Sequence, residues 1–215
     1  MIKMNQRIEE AAKAIKESYI QHGKRVISLD DIGEIAYALK HYMESNLQLY
    51  ANWGVDHFRG GQLIYSADEG RNIFTTQGMN FILDEVFNAG GACTADMYIG
   101  LFNANVTPAA SDTAAVHLSC TDGTYSELTP TTEMDEAARQ AYVCAAASAA
   151  NVTNTANKAV FTIATTQTIY GGFVCTGSVS TSDSGTLICA KAFTSRAVID
   201  NDVLNILVSL TMTSA

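Results

Sequence analysis

The side chains that could carry chemistry are scattered along this sequence rather than clustered. None of the four histidines has the H-x-x-x-H or H-E-x-x-H spacing of a helical metal site. Two carboxylate pairs could bind calcium or act as acid and base, namely Asp30 with Asp31 and Asp200 with Asp202. The first pair begins a predicted helix, where negative charge is favourable, and the second lies in a predicted hairpin turn. Both pairs are therefore predicted to be structural, and no metal site is predicted.

Serine or cysteine nucleophiles are not predicted either. The serine-rich stretch GSVSTSDSG lacks the G-x-S-x-G pattern of a nucleophile elbow and separates two predicted strands. Five cysteines, an odd number, occur at wide and irregular intervals without a C-x-x-C pair. They are typical of small buried side chains in a protein made in a reducing cytoplasm. No catalytic residue and no cofactor is therefore expected.

Two adjacent glycines interrupt a strand-like run in TIYGGFVCTGS, residues 168–178. A phosphate-binding loop needs a G-x-G-x-x-G or a G-K-S/T pattern followed by a helix, and this stretch has neither the pattern nor the helix. Gly171 and Gly172 are therefore predicted to lie inside one strand, on opposite faces. Such glycines mark a bulge or the close approach of a large neighbour.

Composition and charge limit the classes of partner. Of 215 residues, 47% are hydrophobic and only 16% are charged, and the formal net charge is −9. Proteins that bind nucleic acid need a surplus of Lys and Arg, so nucleic acid is not expected as a partner. No apolar run is long enough to span a bilayer, and the beginning of the chain is rich in charge. Neither a membrane anchor nor a signal peptide is therefore expected.

Two amphipathic helices are predicted near the N-terminus. The first carries Ile8 and Ile15 on its apolar stripe and ends near Gly23. The second begins at the capping sequence SLDD and carries Ile35 and Leu39 on a narrow stripe close to a heptad seam. Each stripe buries too little apolar surface to hold an isolated pair of helices together, so both imply a partner surface.

The next part of the chain is predicted to be extended and then helical. Residues 47–74 mix aromatic residues with glycines without a sustained period and are predicted to form an extended arm with one short strand at most. A third helix is predicted in TTQGMNFILDEVFNAGG. Thr75 or Thr76 can cap its start, and Gly90 with Gly91 can end it.

Beyond residue 95 the apolar period becomes two, which predicts strands. The predicted strands are DMYIGLFNA, ARQAYVCAAA, KAVFTIA, TIYGGFVCTG, GTLICAKAF and VLNILVSLTMT. Polar turns such as NVTNTAN, STSDSG and IDND separate them, and residues 131–136 could instead start a helix. Short strands without intervening helices are typical of an antiparallel β-sandwich or a jelly-roll-like domain.

The predicted fold class is therefore mainly β with an N-terminal α segment. Residues 1–71 are predicted to form a helical segment followed by the extended arm. Residues 72–215 are predicted to form the antiparallel β-sandwich with one short leading helix.

Several motifs of this sequence resemble a group of virion structural proteins of tailed bacteriophages. They are NIFTTQGMNFILDEVF, MYIGLFNANVTPAASDTAA, TIYGGFVCTGS, GTLICAKAF and VIDNDVLNILVSLTM. The resemblance covers about residues 72–213, and its motifs are short and built from common residues. The sequence departs from the group at Asn201, where relatives tend to have Gly, but Asn also accepts the left-handed conformation of a turn.

The resemblance implies a structural protein of the virion, made in the cytoplasm of the host bacterium, without catalytic residues. The first role that it implies is a capsid decoration or cement protein, which would contact the major capsid protein or another virion protein. A neck, tail or fibre component is the alternative placement. A carbohydrate-binding adhesion module and a hydrolase are weaker alternatives, because the only Trp lies outside the predicted sandwich and no catalytic constellation is found.

Aromatic residues of the predicted arm are the candidate assembly contacts, because aromatic anchors dominate many interfaces. These candidates are Tyr50, Trp53, Phe58 and Tyr65. The alternative is that they pack onto the protein's own sandwich. Together with Ile8, Ile15, Ile35 and Leu39 they predict self-association as a dimer or trimer.

Overall fold

The computed structural model describes residues 47–87 and 96–214. The two predicted N-terminal helices and the predicted helix stop at Gly90 and Gly91 lie outside the described residues. The chain divides at residue 47, and the unit Gln48–Thr213 contains both β-sheets. Its architecture is mainly β, with two antiparallel sheets and few helices.

The first sheet consists of five strands. They are β1 (Leu47–Arg59), β2 (Gln62–Arg71), β6 (Asn151–Thr153), β7 (Ala159–Thr162) and β10 (Val203–Ser214). Strand β1 lies between β2 and β10, and β10 pairs with both short strands, β6 and β7. Strand β2 is therefore an end strand of this sheet.

The second sheet also has five strands, in the order β3-β9-β8-β4-β5. Their bounds are Ile73–Phe74 for β3, Tyr98–Phe102 for β4, Gln140–Ala141 for β5, Gln167–Cys175 for β8 and Leu187–Val198 for β9. The pairing of β8 with β9 runs the length of both strands, whereas β3 and β5 add two residues each at the ends.

Both sheets contribute side chains to one hydrophobic core, as in a β-sandwich. Trp53 and Val55 of β1 and Leu204 of β10 enter it from the first sheet. Ile99 of β4 and Ile188 of β9 enter it from the second. All five side chains are at most 1% exposed.

The outer face of the second sheet is covered by the long connection between β4 and β5. Leu118 and Tyr125 of this connection form a second apolar cluster with Phe102, Phe173 and Leu187 of the sheet. One face of the second sheet packs against the first sheet, and the other face is covered by this connection. Strand β8 is therefore buried along most of its length.

Helix α1 (Thr76–Phe87) forms where the sequence predicted a helix. The hydroxyl of Thr75 accepts a hydrogen bond of 2.9 Å from the amide of Gly78, so Thr75 is the N-cap. A side chain at Gly78 would collide with the backbone of Ile188, which allows α1 to approach β9 closely. In the described part of the chain, the other helical elements are one short helix, α2 (Ala114–His117), and one 3-10 turn (Thr155–Asn157).

The glycine pair of TIYGGFVCTGS lies inside β8, and this prediction is confirmed. A side chain at Gly171 would collide with the Phe102 ring, and one at Gly172 would lie 2.8 Å from Cζ3 of Trp53, on the other face. The pairing of β8 with β9 shifts its register between Ile169 and Gly171, which is a β-bulge.

The predicted extended arm is corrected by the structure, because residues 47–71 form the hairpin of β1 and β2. The turn of the hairpin is Gly60–Gly61, whose φ angles of 57° and 77° both have the sign that a type I′ turn needs. Residues 48–71 thus lie in the same compact unit as the two sheets.

Other strand predictions differ in detail. The strand predicted over ARQAYVCAAA is reduced to the two residues of β5, while the predicted turn NVTNTAN contains β6. Residues 131–136 form turns and bends and no helix. The strands predicted for β4, β7, β8, β9 and β10 are confirmed.

Candidate functional site

Asp202 connects two parts of the first sheet that are far apart in sequence. Its carboxylate accepts hydrogen bonds from the Arg59 guanidinium and is 2.8 Å from Nε2 of His57. It also accepts the amide of Ile199 in the turn between β9 and β10. The hydrogen bonds from Arg59 hold the pKa of Asp202 far below its usual value. We call this cluster the Asp202 latch, since it fixes the end of the β1–β2 hairpin to that turn.

A fully buried ion pair fixes the long connection between β4 and β5. The guanidinium of Arg139 donates to both carboxylate oxygens of Glu127, at 2.8 and 2.7 Å, and also to the carbonyls of Gly177 and Ser182. Burial raises the pKa of Glu127, and the hydrogen bonds from Arg139 oppose that rise. All three guanidinium nitrogens of Arg139 donate to groups of the chain itself, so this pair serves to order loops.

A third polar cluster, around Asp112, combines residue types that occur in hydrolases. Tyr125 donates to Asp112 at 2.7 Å, and Nε2 of His117 lies 3.3 Å from the other carboxylate oxygen. Desolvation raises the pKa of Tyr125, which therefore stays protonated and is a poor nucleophile. Asp112 also accepts the amide of Ala109, which closes the loop that contains Pro108.

The cysteines of the described residues do not form a reactive site. Burial raises the pKa of Cys175 to about 11 and that of Cys189 to about 12, so both are thiols at neutral pH. Cys144 is exposed and free. The predicted role of cysteines as small buried side chains thus fits Cys175 and Cys189, whereas Cys120 is half-buried and Cys144 is exposed.

The described part of the chain contains neither a cluster of metal ligands nor a helix that could span a membrane. In residues 47–87 and 96–214, no three His, Cys, Asp or Glu side chains come together as a metal site would require. The helices described there are too short or too polar to cross a membrane.

The outer edge of β2 exposes a continuous run of apolar side chains. The first half of β2 is exposed, and three consecutive apolar residues are prominent, with Leu63 54%, Ile64 49% and Tyr65 36% exposed. The register of β2 against β1 shifts between Phe58 and His57, so that Ile64 is an extra residue without a partner on β1. Gln62–Ser66, which we call the β2 edge, contains no charged residue.

A shallow open pocket of about 300 Å³ lies on the first sheet beside this edge. Asp56 forms its polar wall and accepts hydrogen bonds of 2.6 Å from both Lys158 and Ser66. Burial would raise the pKa of Asp56, but the hydrogen bonds from Lys158 and Ser66 outweigh it and lower the pKa. Asn52 and Leu207 complete a lining of mixed polarity.

The predicted assembly residues fall into different environments. Trp53 is completely buried in the chain's own core, which was the alternative that the sequence left open. Tyr50 and Phe58 are half-buried, and the ring of Tyr50 is covered by the Arg71 guanidinium at 3.9 Å. Tyr65 is exposed at one edge and stacks on Arg196 at 3.4 Å. The remaining candidates lie outside the described residues, namely Ile8, Ile15, Ile35 and Leu39.

Sequence reasoning missed Leu63 and Ile64, although a signal was present. Gly60–Gly61 is a strong hairpin turn, and an apolar run follows it directly. Sequence reasoning also found no partner for His57, because Asp202 is 145 residues away in the chain.

The sequence matches no protein-family model, and a search of curated proteins finds no match.

Proposed function

We propose that this chain is a non-enzymatic structural protein of a tailed-phage virion, which acts as a capsid decoration or cement protein on the head. The proposal rests on the structural roles that the motif residues have in the fold. Each quoted motif lies on the two-sheet unit, and several motif residues, among them Thr75, Asp112 and Asp202, form hydrogen bonds within that unit.

Particular motif residues illustrate these roles. Thr75 caps α1, and Asp112 of the SDTAA segment accepts a hydrogen bond from Tyr125. Asn201 has a φ of 64°, the left-handed conformation that makes Asn an acceptable replacement for Gly in this turn. Residues that maintain a rigid scaffold are the kind that a structural protein needs, and this supports the resemblance.

A rigid scaffold also suits the cement role. The Asp202 latch and the Glu127–Arg139 pair anchor exposed segments to the sandwich, so the surface presented to a capsid is ordered before contact. The major capsid protein is the proposed partner of the head placement.

Quantitative mass spectrometry of purified particles tests this function. Under the cement role the chain occurs in tens to hundreds of copies per head, in tailless heads as well as in complete particles. A few copies per particle that are lost together with the tail would instead indicate a neck, tail or fibre component. Its absence from particles would end the proposal.

One observation favours a second function, the recognition of carbohydrate. The shallow pocket presents Asp56, Lys158, Asn52 and Ser66 around the apolar Leu207, a mixture of groups that suits a sugar. A glycan array with the wild type and with Asp56→Ala tests it. Binding that is lost in the variant would support this function, and the absence of any hit would remove it.

A further inference from the structure

The β2 edge is an unpaired strand edge with unusual side chains. Within the described residues, β1 is the only strand that pairs with β2, so the outer backbone edge of β2 is not paired with a strand, although residues of β9 contact Tyr65 and Glu69. We propose that the β2 edge is a homotypic docking site, at which β2 strands of two copies of this chain pair antiparallel across a two-fold axis. This inference does not depend on whether the chain belongs to a virion.

The side chains lack the usual protection against such pairing. Edge strands normally carry Lys or Pro, or contain a bulge, which discourages the addition of another strand. From Gln62 to Ala67 there is neither Lys nor Pro, and only the bulge at Ile64 remains. Leu63 and Ile64 are about half exposed, at 54% and 49%, so each would bury apolar surface on pairing.

Charge identifies a second copy as a suitable occupant. The chain has a formal net charge of −9, so two copies repel each other over most of their surface. The β2 edge is neutral. Of the two carboxylates that follow it, Asp68 and Glu69, the second accepts hydrogen bonds from Arg196 and from the amide of Thr194. Pairing at Gln62–Ser66 therefore brings two copies together without placing carboxylates opposite each other.

The sequence of the edge is also complementary to itself. An antiparallel pairing across Ile64 places Leu63 opposite Tyr65 of the second copy, and Gln62 opposite Ser66 of the second copy. Apolar residues then face apolar residues and polar residues face polar ones. The turn at Gly60–Gly61 has no side chains that would obstruct a neighbouring strand.

The edge is held in a fixed conformation before any contact. The Asp202 latch fixes the hairpin through His57 and Arg59, next to the turn. At the other end of β2, Lys191 donates to the carbonyl of Arg71. A fixed edge lowers the entropic cost of association.

A cysteine scan tests the pairing in the full chain. Gln62, Leu63, Ile64, Tyr65 and Ser66 are each changed to Cys in a Cys144→Ser parent, and a short bismaleimide is added. A residue on a two-fold axis faces itself, so we expect efficient cross-linked dimer at one or two adjacent positions and none in the parent. No cross-link at any of the five positions would overturn the proposal.

Sedimentation velocity gives a second measurement, with a matched control. Ile64→Lys places two ammonium groups at the axis and is expected to weaken self-association at least tenfold. Val179→Lys changes a side chain of similar exposure, 52%, away from the edge and is expected to leave self-association unchanged. Equal effects of both changes, or a wild type that shows no self-association, would refute the homotypic contact and favour a strand from a different protein.

Discussion

The carboxylate of Asp202 and the guanidinium of Arg59, 143 residues apart in the chain, are joined by two hydrogen bonds of 2.9 and 2.7 Å. The Asp202 side chain is 1% exposed, whereas that of Arg59 is 43% exposed. A nearly buried acceptor therefore draws a surface cation against the sheet, and with it the end of the β1–β2 hairpin.

Asp202→Asn is expected to lower the free energy of unfolding at pH 7 by about 2 kcal/mol, the usual size for hydrogen bonds to a charged group. Urea unfolding measures this change. Asp200→Asn is the matched control, because Asp200 lies in the same turn and accepts a hydrogen bond only from the exposed Asn201 side chain. The control is expected to stay within about 0.5 kcal/mol of the wild type.

The same pair predicts a pH dependence. The pKa of Asp202 is lower in the folded protein than in the unfolded chain, so its contribution is complete above the unfolded value and is lost as the pH falls below about 4. The stability difference between the wild type and Asp202→Asn should therefore shrink between pH 5 and the acid range, in urea titrations at each pH. A difference that grows with acid would contradict this assignment.

The glycines of β8 are expected to respond unequally to substitution. In Gly171→Ala the new methyl group meets the Phe102 ring and the carbonyl of Lys191, and backbone cannot move aside as a side chain can. In Gly172→Ala its two closest contacts are side chains, Trp53 at 2.8 Å and Phe193 at 3.1 Å, and the backbone carbonyl of Gly100 lies further away at 3.2 Å. We expect losses of about 3 and about 1–2 kcal/mol in urea unfolding. A larger loss at Gly172 would show that the strand shifts to relieve the first contact.

A turn built from alanine offers a stabilising change. Ser148 and Asn151 exchange backbone hydrogen bonds of 2.9 and 3.0 Å around Ala149 and Ala150, whose φ angles are 51° and 56°. Left-handed backbone is strained for alanine and not for glycine. Ala150→Gly should therefore raise the free energy of unfolding by about 1 kcal/mol, measured with urea. Ala146→Gly, in the same exposed segment without a positive φ, should give no gain.

Thiol modification checks the environments of the cysteines. With a pKa of about 11, about one Cys175 in a thousand is ionised at pH 8, and its side chain is buried. Iodoacetamide followed by mass spectrometry should label Cys144 within minutes and leave Cys175 and Cys189 unlabelled. In urea all three should react, which separates protection by the fold from an absence of free thiol.

Much of the sheet structure was predictable because it rests on local patterns. Strands β4 and β7–β10 follow an apolar period of two. The start of α1 was predictable because Thr75, its N-cap, precedes an apolar run. The absence of a helix after Gly171–Gly172 was enough to place the glycines in a strand. These features depend on neighbours in sequence.

The hairpin and the polar clusters depend on distant partners, and the sequence did not indicate them. Strand β1 buries Trp53 and His57 on one face and has Gly54 and Asp56 on the other. Because the buried face includes a polar residue, the alternation of apolar and polar residues is not evident in the sequence. His57 becomes a structural residue only through Asp202, and Arg139 only through Glu127, both contacts between segments that no local pattern joins. Trp53 is buried because it lies on β1, the strand that was not predicted.

Glu69 sets how many strands this molecule can accept on one side. Strand β3 pairs with only two residues of β9, and beyond them the amide of Thr194 would face an incoming strand, but the Glu69 carboxylate already holds that amide at 2.8 Å. On this side the second sheet is thus closed by a side chain, while the first sheet stays open at β2. In the proposed two-fold pairing each copy uses its β2 edge once, so association through this edge stops at a closed pair instead of growing into a fibre.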